Sequence, residues 1–167
     1  PACTGFTWTG GTVGEGAIIV STRINGELLH MQLDTGAETS QTYGDLATQF
    51  GWAKSGQQFY FPVTLDIANA AITAPRIMQN PDMSSATIGG TIGLDELLGH
   101  VVVIDYPSAR FCLFTAKTTP PILNDVPGVH GAISRGRFLL PLTARGFHTQ
   151  RMLFDTGTSR MGLVVGG

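Results

Sequence analysis

Charge is scarce in this chain. Only 13% of its 167 residues are Asp, Glu, Lys or Arg, the formal net charge is −2, and Lys54 and Lys117 are its two lysines. With no basic face and no run of like charge, no nucleic-acid partner and no charged tail are expected. Long apolar runs are missing too. Runs such as Val101-Val102-Val103-Ile104 and Phe138-Leu139-Leu140 fall far short of a bilayer, so no membrane partner is expected. Cysteine is limited to Cys3 and Cys112, too few for a disulfide framework or a four-Cys zinc site. The pair has two readings, one bridge between the first and last strands of a lobe or two small buried hydrophobes. The four histidines (30, 100, 130 and 148) have no metal-ligand spacing, so no metal and no cofactor are expected. Ile88-Gly89-Gly90-Thr91-Ile92-Gly93 lacks the Lys-Ser/Thr ending of a phosphate loop, and no Ser stands in a Gly-x-Ser-x-Gly context. The chain opens at Pro1 with no basic and apolar leader, so a signal peptide is expected to have been removed or to lie outside it. With little charge and much Thr and Gly, it reads as exported, secreted or periplasmic.

What is present is strand-like. At 43% apolar the chain can bury a core, and helical periodicity is rare while short β-branched runs between turn residues are common. The class is all-β. Ala17 to Ile24, the Asn25-Gly26 hairpin turn and Leu28 to Leu33 form a hairpin that delivers Asp34 to a tight turn. Asp45 to Gly51 has the spacing of one short helix. Phe59 to Ile67 and Ala71 to Met78 read as a further hairpin turned at 68–70, and Val101 to Ile104 and Arg110 to Phe114 flank a turn containing Pro107. The segment from Thr118 to Gly128 is the one clear linker. It gives three parts: 1–118 a complete lobe, 119–130 a linker, and 131–167 the beginning of a second lobe.

The second part repeats the first. Arg137 to Thr143, the turn Arg145-Gly146 and Arg151 to Phe154 lead to Asp155-Thr156-Gly157, as the first hairpin leads to Asp34-Thr35-Gly36. This is an internal duplication with one inserted residue. Two Asp side chains on matching turns suit one chemistry above others, water activation by a carboxyl pair that shares a proton.

The two Asp-Thr-Gly turns, with the later Thr91-Ile92-Gly93-Leu94, resemble the aspartic peptidases of the pepsin and retropepsin superfamily. Residues 13 to 116 match a single retropepsin-like lobe in motif order. Asp34-Thr35-Gly36-Ala37 is close to the retropepsin form of the turn, and Asp155-Thr156-Gly157-Thr158 to the form of the second pepsin lobe. The resemblance implies a retropepsin/pepsin-like acid protease fold, one complete lobe plus the start of a second, with a cleft between them that takes a peptide or protein substrate. It implies Asp34 and Asp155 as the catalytic pair and cross-lobe hydrogen bonds from the Thr35 and Thr156 hydroxyls. Gly36 and Gly157 keep the turns tight, and Ile92 and Gly93 support the first. Thr158 places a hydroxyl beside Asp155 where Ala37 gives Asp34 none, which implies an activity optimum nearer neutral. A flap near Ser55 to Pro62 would be short, with Tyr60 as its candidate aromatic contact, although Tyr60 and Trp52 are residue types found more often in the core or the cleft wall. The expected function is an aspartic endopeptidase. The alternative is a non-catalytic binding module or inactive fragment of the same fold. Because the second lobe is short of its own Gly motif, pairing of Asp34 from two chains, or self-association that completes the second lobe, stays open.

Overall fold

The computed structural model describes residues 3–158 apart from Val13, Gly14, Gln57, Val63, Asn69 and Arg145. Fifteen strands, two four-residue helices and one 3-10 turn follow one another among the described residues. The framework is all-β.

The first hairpin forms as its sequence dictates. β1 (Cys3–Trp8) pairs antiparallel with β2 (Ile18–Ile24), and β2 pairs with β3 (Glu27–Leu33) around Asn25 and Gly26, both at positive φ. Alternation then sorts the side chains. Ile18, Val20, Thr22 and Ile24 of β2 and Leu29, Met31 and Leu33 of β3 go inward, while Ser21 and Arg23 face out. β4 (Gln41–Tyr43) and a single helical turn α1 (Leu46–Gln49) follow, the turn ending at Gly51 with φ +64°. The helix is shorter than the Asp45 to Gly51 spacing suggested.

The Phe59 to Met78 hairpin is a correction. Each arm is broken in two: β6 (Phe59–Phe61) and β7 (Thr64–Ile67) on one side, β8 (Ala70–Thr73) and β9 (Ile77–Asn80) on the other. Pro62 has no N–H to continue the ladder, and Ala74 at φ +50° ahead of Pro75 breaks the second arm. The halves consequently separate. β7 and β8 pair with each other and β7 with β2, whereas β6 pairs with β9 and with β5 (Ala53–Ser55).

β10 (Gly90–Ile92) inserts between β3, to which it is parallel, and β4. It leads to α2 (Leu94–Leu97), then β11 (Val101–Asp105) and β12 (Arg110–Phe114). β12 returns to β1 with Cys3 opposite Cys112, and the two are joined as a disulfide. The strand order is β11-β12-β1-β2-β3-β10-β4-β9-β6-β5. Phe6, Trp8, Met31, Leu33, Leu65, Ile67, Ile77, Phe111 and Leu113 form its core.

The linker is not featureless: Pro121–Asp125 makes a 3-10 turn. Beyond it, β13 (Ala132–Ser134), β14 (Arg137–Ala144) and β15 (Phe147–Leu153) form a separate three-stranded sheet. Its register slips between Leu140 and Leu142, where Pro141 cannot donate to the ladder.

Candidate active site

Each hairpin ends in an Asp-Thr-Gly turn, and the fold brings the two turns face to face. Thr35 and Thr156 are both buried and lock them through four hydrogen bonds. The Thr35 amide donates to Thr156 Oγ1 (3.1 Å), and Thr35 Oγ1 donates to the Phe154 carbonyl (2.7 Å). In mirror fashion the Thr156 amide donates to Thr35 Oγ1 (3.1 Å), and Thr156 Oγ1 donates to the Leu33 carbonyl (3.1 Å). Each hydroxyl is thus donor and acceptor at once, so no apolar side chain fills the role.

The carboxyl groups sit across this lattice. Asp34 Oδ1 accepts from the amides of Gly36 (2.8 Å) and Ala37 (3.1 Å), and Asp155 Oδ1 from that of Gly157 (2.8 Å). The turns interlock at their glycines. A methyl group on Gly36 would come within 2.6 Å of the Asp155 carboxyl carbon, and one on Gly157 would overlap that of Asp34. Only glycine lets each carboxyl lie this close to the opposite backbone. Asp34 and Asp155 are hydrogen-bonded to each other, and burial first, then the charge of Asp155, pushes the Asp34 carboxyl above the ordinary carboxylate range. The amides of Gly36 and Ala37 oppose that rise.

Solved retropepsin-like domains resemble this chain. A retropepsin-like aspartic protease from Rickettsia conorii matches at 13% identity and a TM-score of 0.48, over 65% of this chain and 86% of that one. The retroviral protease-like domain of Ddi1 from Leishmania major matches at 21% identity and a TM-score of 0.43, over 59% and 88%. No family model and no curated protein matches the sequence.

Behind the first turn lies a support whose full extent the sequence did not reveal. The Asp34 amide donates to the Ile92 carbonyl (3.0 Å), and the Leu94 amide to the Ala37 carbonyl (2.8 Å). Gly93 packs against this backbone so closely that a Cβ would lie 2.7 Å from the Thr39 carbonyl carbon. Ser40 and Asp95 complete the brace. Asp95 accepts from the Ser40 amide (2.9 and 3.0 Å) and hydroxyl (2.7 Å), and Ser40 Oγ in turn accepts from the Gly93 amide (2.9 Å). The signal available was an Asp two residues past the Gly of the later motif, in the first turn of α2. Gln32 was also missed; its Nε2 donates to the Gly157 carbonyl (3.2 Å), a third tie between the halves.

Of the two readings of Tyr60, flap contact or core residue, the structure shows the second. It is a core residue, with 5% of its surface exposed and its hydroxyl 3.0 Å from Thr48 Oγ1, because Phe59 and Phe61 take the other face of the short strand. Thr158 is exposed and lines a cavity beside Asp155. Among the described residues no group of three His, Cys, Asp or Glu side chains converges, and no helix is long and apolar enough to cross a membrane.

Proposed function

We propose that this chain is an aspartic endopeptidase in which Asp34 and Asp155 activate one water molecule between them. The observation that carries this reading is the interlocked pair of turns, with two hydrogen-bonded carboxyls each packed on the other's glycine. Two carboxyls in hydrogen-bond contact share one proton, because they cannot both ionise side by side. The ionised member takes a proton from the water, whose oxygen attacks the peptide carbonyl carbon. The protonated member donates to the carbonyl oxygen, giving a tetrahedral diol that collapses as the amine leaves with a proton. Both Asp residues come from one chain, so a second copy is not needed for the pair. No cofactor enters the reaction.

The Cys3–Cys112 bridge supports placement in an oxidising compartment, secreted or periplasmic, where such bonds persist. The test is peptide hydrolysis by the full-length protein, with products identified by mass. Asp34→Asn and Asp155→Asn should each lower kcat/KM by about 10³-fold or more, and the double variant little further, since paired groups act as a unit. Hydrolysis that survives Asp155→Asn but not Asp34→Asn would assign the pair to two chains. No hydrolysis of any peptide by the unaltered protein would make this a binding module.

A further inference from the structure

Three of the chain's ten lysines and arginines gather in one cavity at the lobe boundary. It measures about 500 Å³ and is lined by Arg135, Arg137 and Arg151 together with Glu38, Leu139 and Leu153. Its position follows from the turns. Glu38 is four residues past Asp34, and Leu153 is two before Asp155. Gly136, at φ +68° between β13 and β14, lies directly on the Glu38 side chain, where a methyl group would overlap Glu38 Cγ. The turn of the second lobe therefore closes against the chain leaving the first carboxylate, and the cavity is lined from both halves.

We propose that this cavity is a cationic subsite of the cleft that seats an acidic side chain of the substrate peptide. The inference rests on the peptidase reading above and names the substrate class of that site. Three arginines and one glutamate share the cavity's lining, and among the described residues none of the three arginines makes an ion pair. A guanidinium fork matches a carboxylate in bidentate geometry, which an ammonium does not.

The internal duplication argues that the fold itself does not need these cations. Matched by strand register, Leu139 opposite Leu153 corresponds to Ile19 opposite Gln32, which sets Arg137 on Ala17 and Arg151 on His30. The first lobe builds the same hairpin with no arginine at those places. The cavity that includes Ile19 and His30 is lined otherwise by Thr7, Trp8, Thr9, Thr87 and Ile88 and holds no arginine. Because the arginines are exposed, the attraction is screened by salt, and a preference of about tenfold is expected rather than one of thousands.

The experiment uses peptides with an apolar pair at the cleaved bond and Glu, Gln or Lys placed in turn at each of the neighbouring positions. In the full-length protein at low ionic strength, one position should show kcat/KM about tenfold higher for Glu than for Gln, with Lys worst. Raising the salt should shrink the Glu-to-Gln ratio toward unity. Arg137→Gln should lower that ratio, and Arg137→Glu should reverse the order of Glu and Lys. Equal cleavage of the Glu and Gln peptides at every position overturns the subsite while leaving the peptidase reading intact. So does a ratio unchanged in both Arg137 variants and in the Arg135→Gln/Arg151→Gln double variant. A separate arm measures binding of fluorescent Glu and Gln peptides to the Asp155→Asn protein by anisotropy. Tighter binding of the Glu peptide where the unaltered protein hydrolyses nothing keeps the subsite and removes the peptidase. Equal binding there overturns both.

Discussion

The turn at Asp34 and the turn at Asp155 share one lattice of threonine hydrogen bonds, but different structures stand behind them. The first is backed by β10 and by the Ser40–Asp95–Gly93 brace, on a sheet whose core includes Met31, Leu33, Ile92 and Phe111. The second is carried by three strands in which no described side chain is fully buried. Among the described residues, its one buried anchor is Thr156, which points into the first lobe. Asp34 is therefore positioned by its own lobe, while Asp155 is positioned largely by the other. An active pair needs both, so the tolerance of the site is set by its less supported half.

The largest effect should come from the staple that the first lobe has and the second lacks. Cys3 and Cys112 are 109 residues apart, and in the chain-entropy account a loop of that size contributes about 4–5 kcal/mol. Cys3→Ser with Cys112→Ser should lower Tm by roughly 10–15 °C. If the second lobe depends on the first, the loss of peptide hydrolysis on heating should fall by the same interval. Hydrolysis lost well below the melting of the first lobe, in both forms, would show that the second lobe unfolds by itself.

A smaller effect tests the threonine lattice. Thr35→Val strands the Thr156 amide and the Phe154 carbonyl; Thr156→Val strands the Thr35 amide and the Leu33 carbonyl. Each should cost about 2–3 kcal/mol, since a buried group left unpaired bears its full desolvation penalty. Activity should fall by about 100-fold in either case. The comparison lies in where the structure loosens. Amide exchange should quicken at 153–157 in both variants, while 33–36 stays protected by Ile92 and Gly93. Equal loosening of the two turns would mean that the brace behind Asp34 does not hold it independently.

The sequence disclosed the parts of this molecule that depend on local chemistry. Asn25-Gly26, with the β-branched run before it, specified the first hairpin, and the repeated Asp-Thr-Gly marked the two turns that meet. What escaped notice depends on contacts distant in sequence. Ser40 and Asp95 are unremarkable until β10 passes beside β4 and brings them together. Arg135, Arg137 and Arg151 look like scattered surface cations until a hairpin folds them around one cavity. Tyr60 had two readings, flap contact or core, and its face of a three-residue strand, invisible in the motif order, decides for the core. Pro62 and Pro75 carried the signal that broke the long hairpin, and their missing N–H groups deserved more weight than the apolar runs around them.

The smallest effect concerns the one residue that distinguishes the two turns beside their carboxylates. Asp34 Oδ1 accepts two backbone amides, and Ala37 has no hydroxyl to add to them. Its carboxyl is pushed up by burial and then by Asp155. A hydrogen bond to the ionised form lowers a pKa, so Ala37→Ser should move the activity optimum toward acid by less than about one pH unit. Stability gives an independent reading with a definite sign. A carboxyl raised in the folded state contributes stability that is fully present below its unfolded value of about 3.9 and is lost as the pH rises through the folded value. Ala37→Ser reduces that loss, so its Tm should exceed that of the unaltered protein near neutral pH, with the gap closing below about pH 4. A gap of equal size at both pH values would mean that the serine acts by packing alone, and the turn at Asp34 would not be short of a hydrogen bond at all.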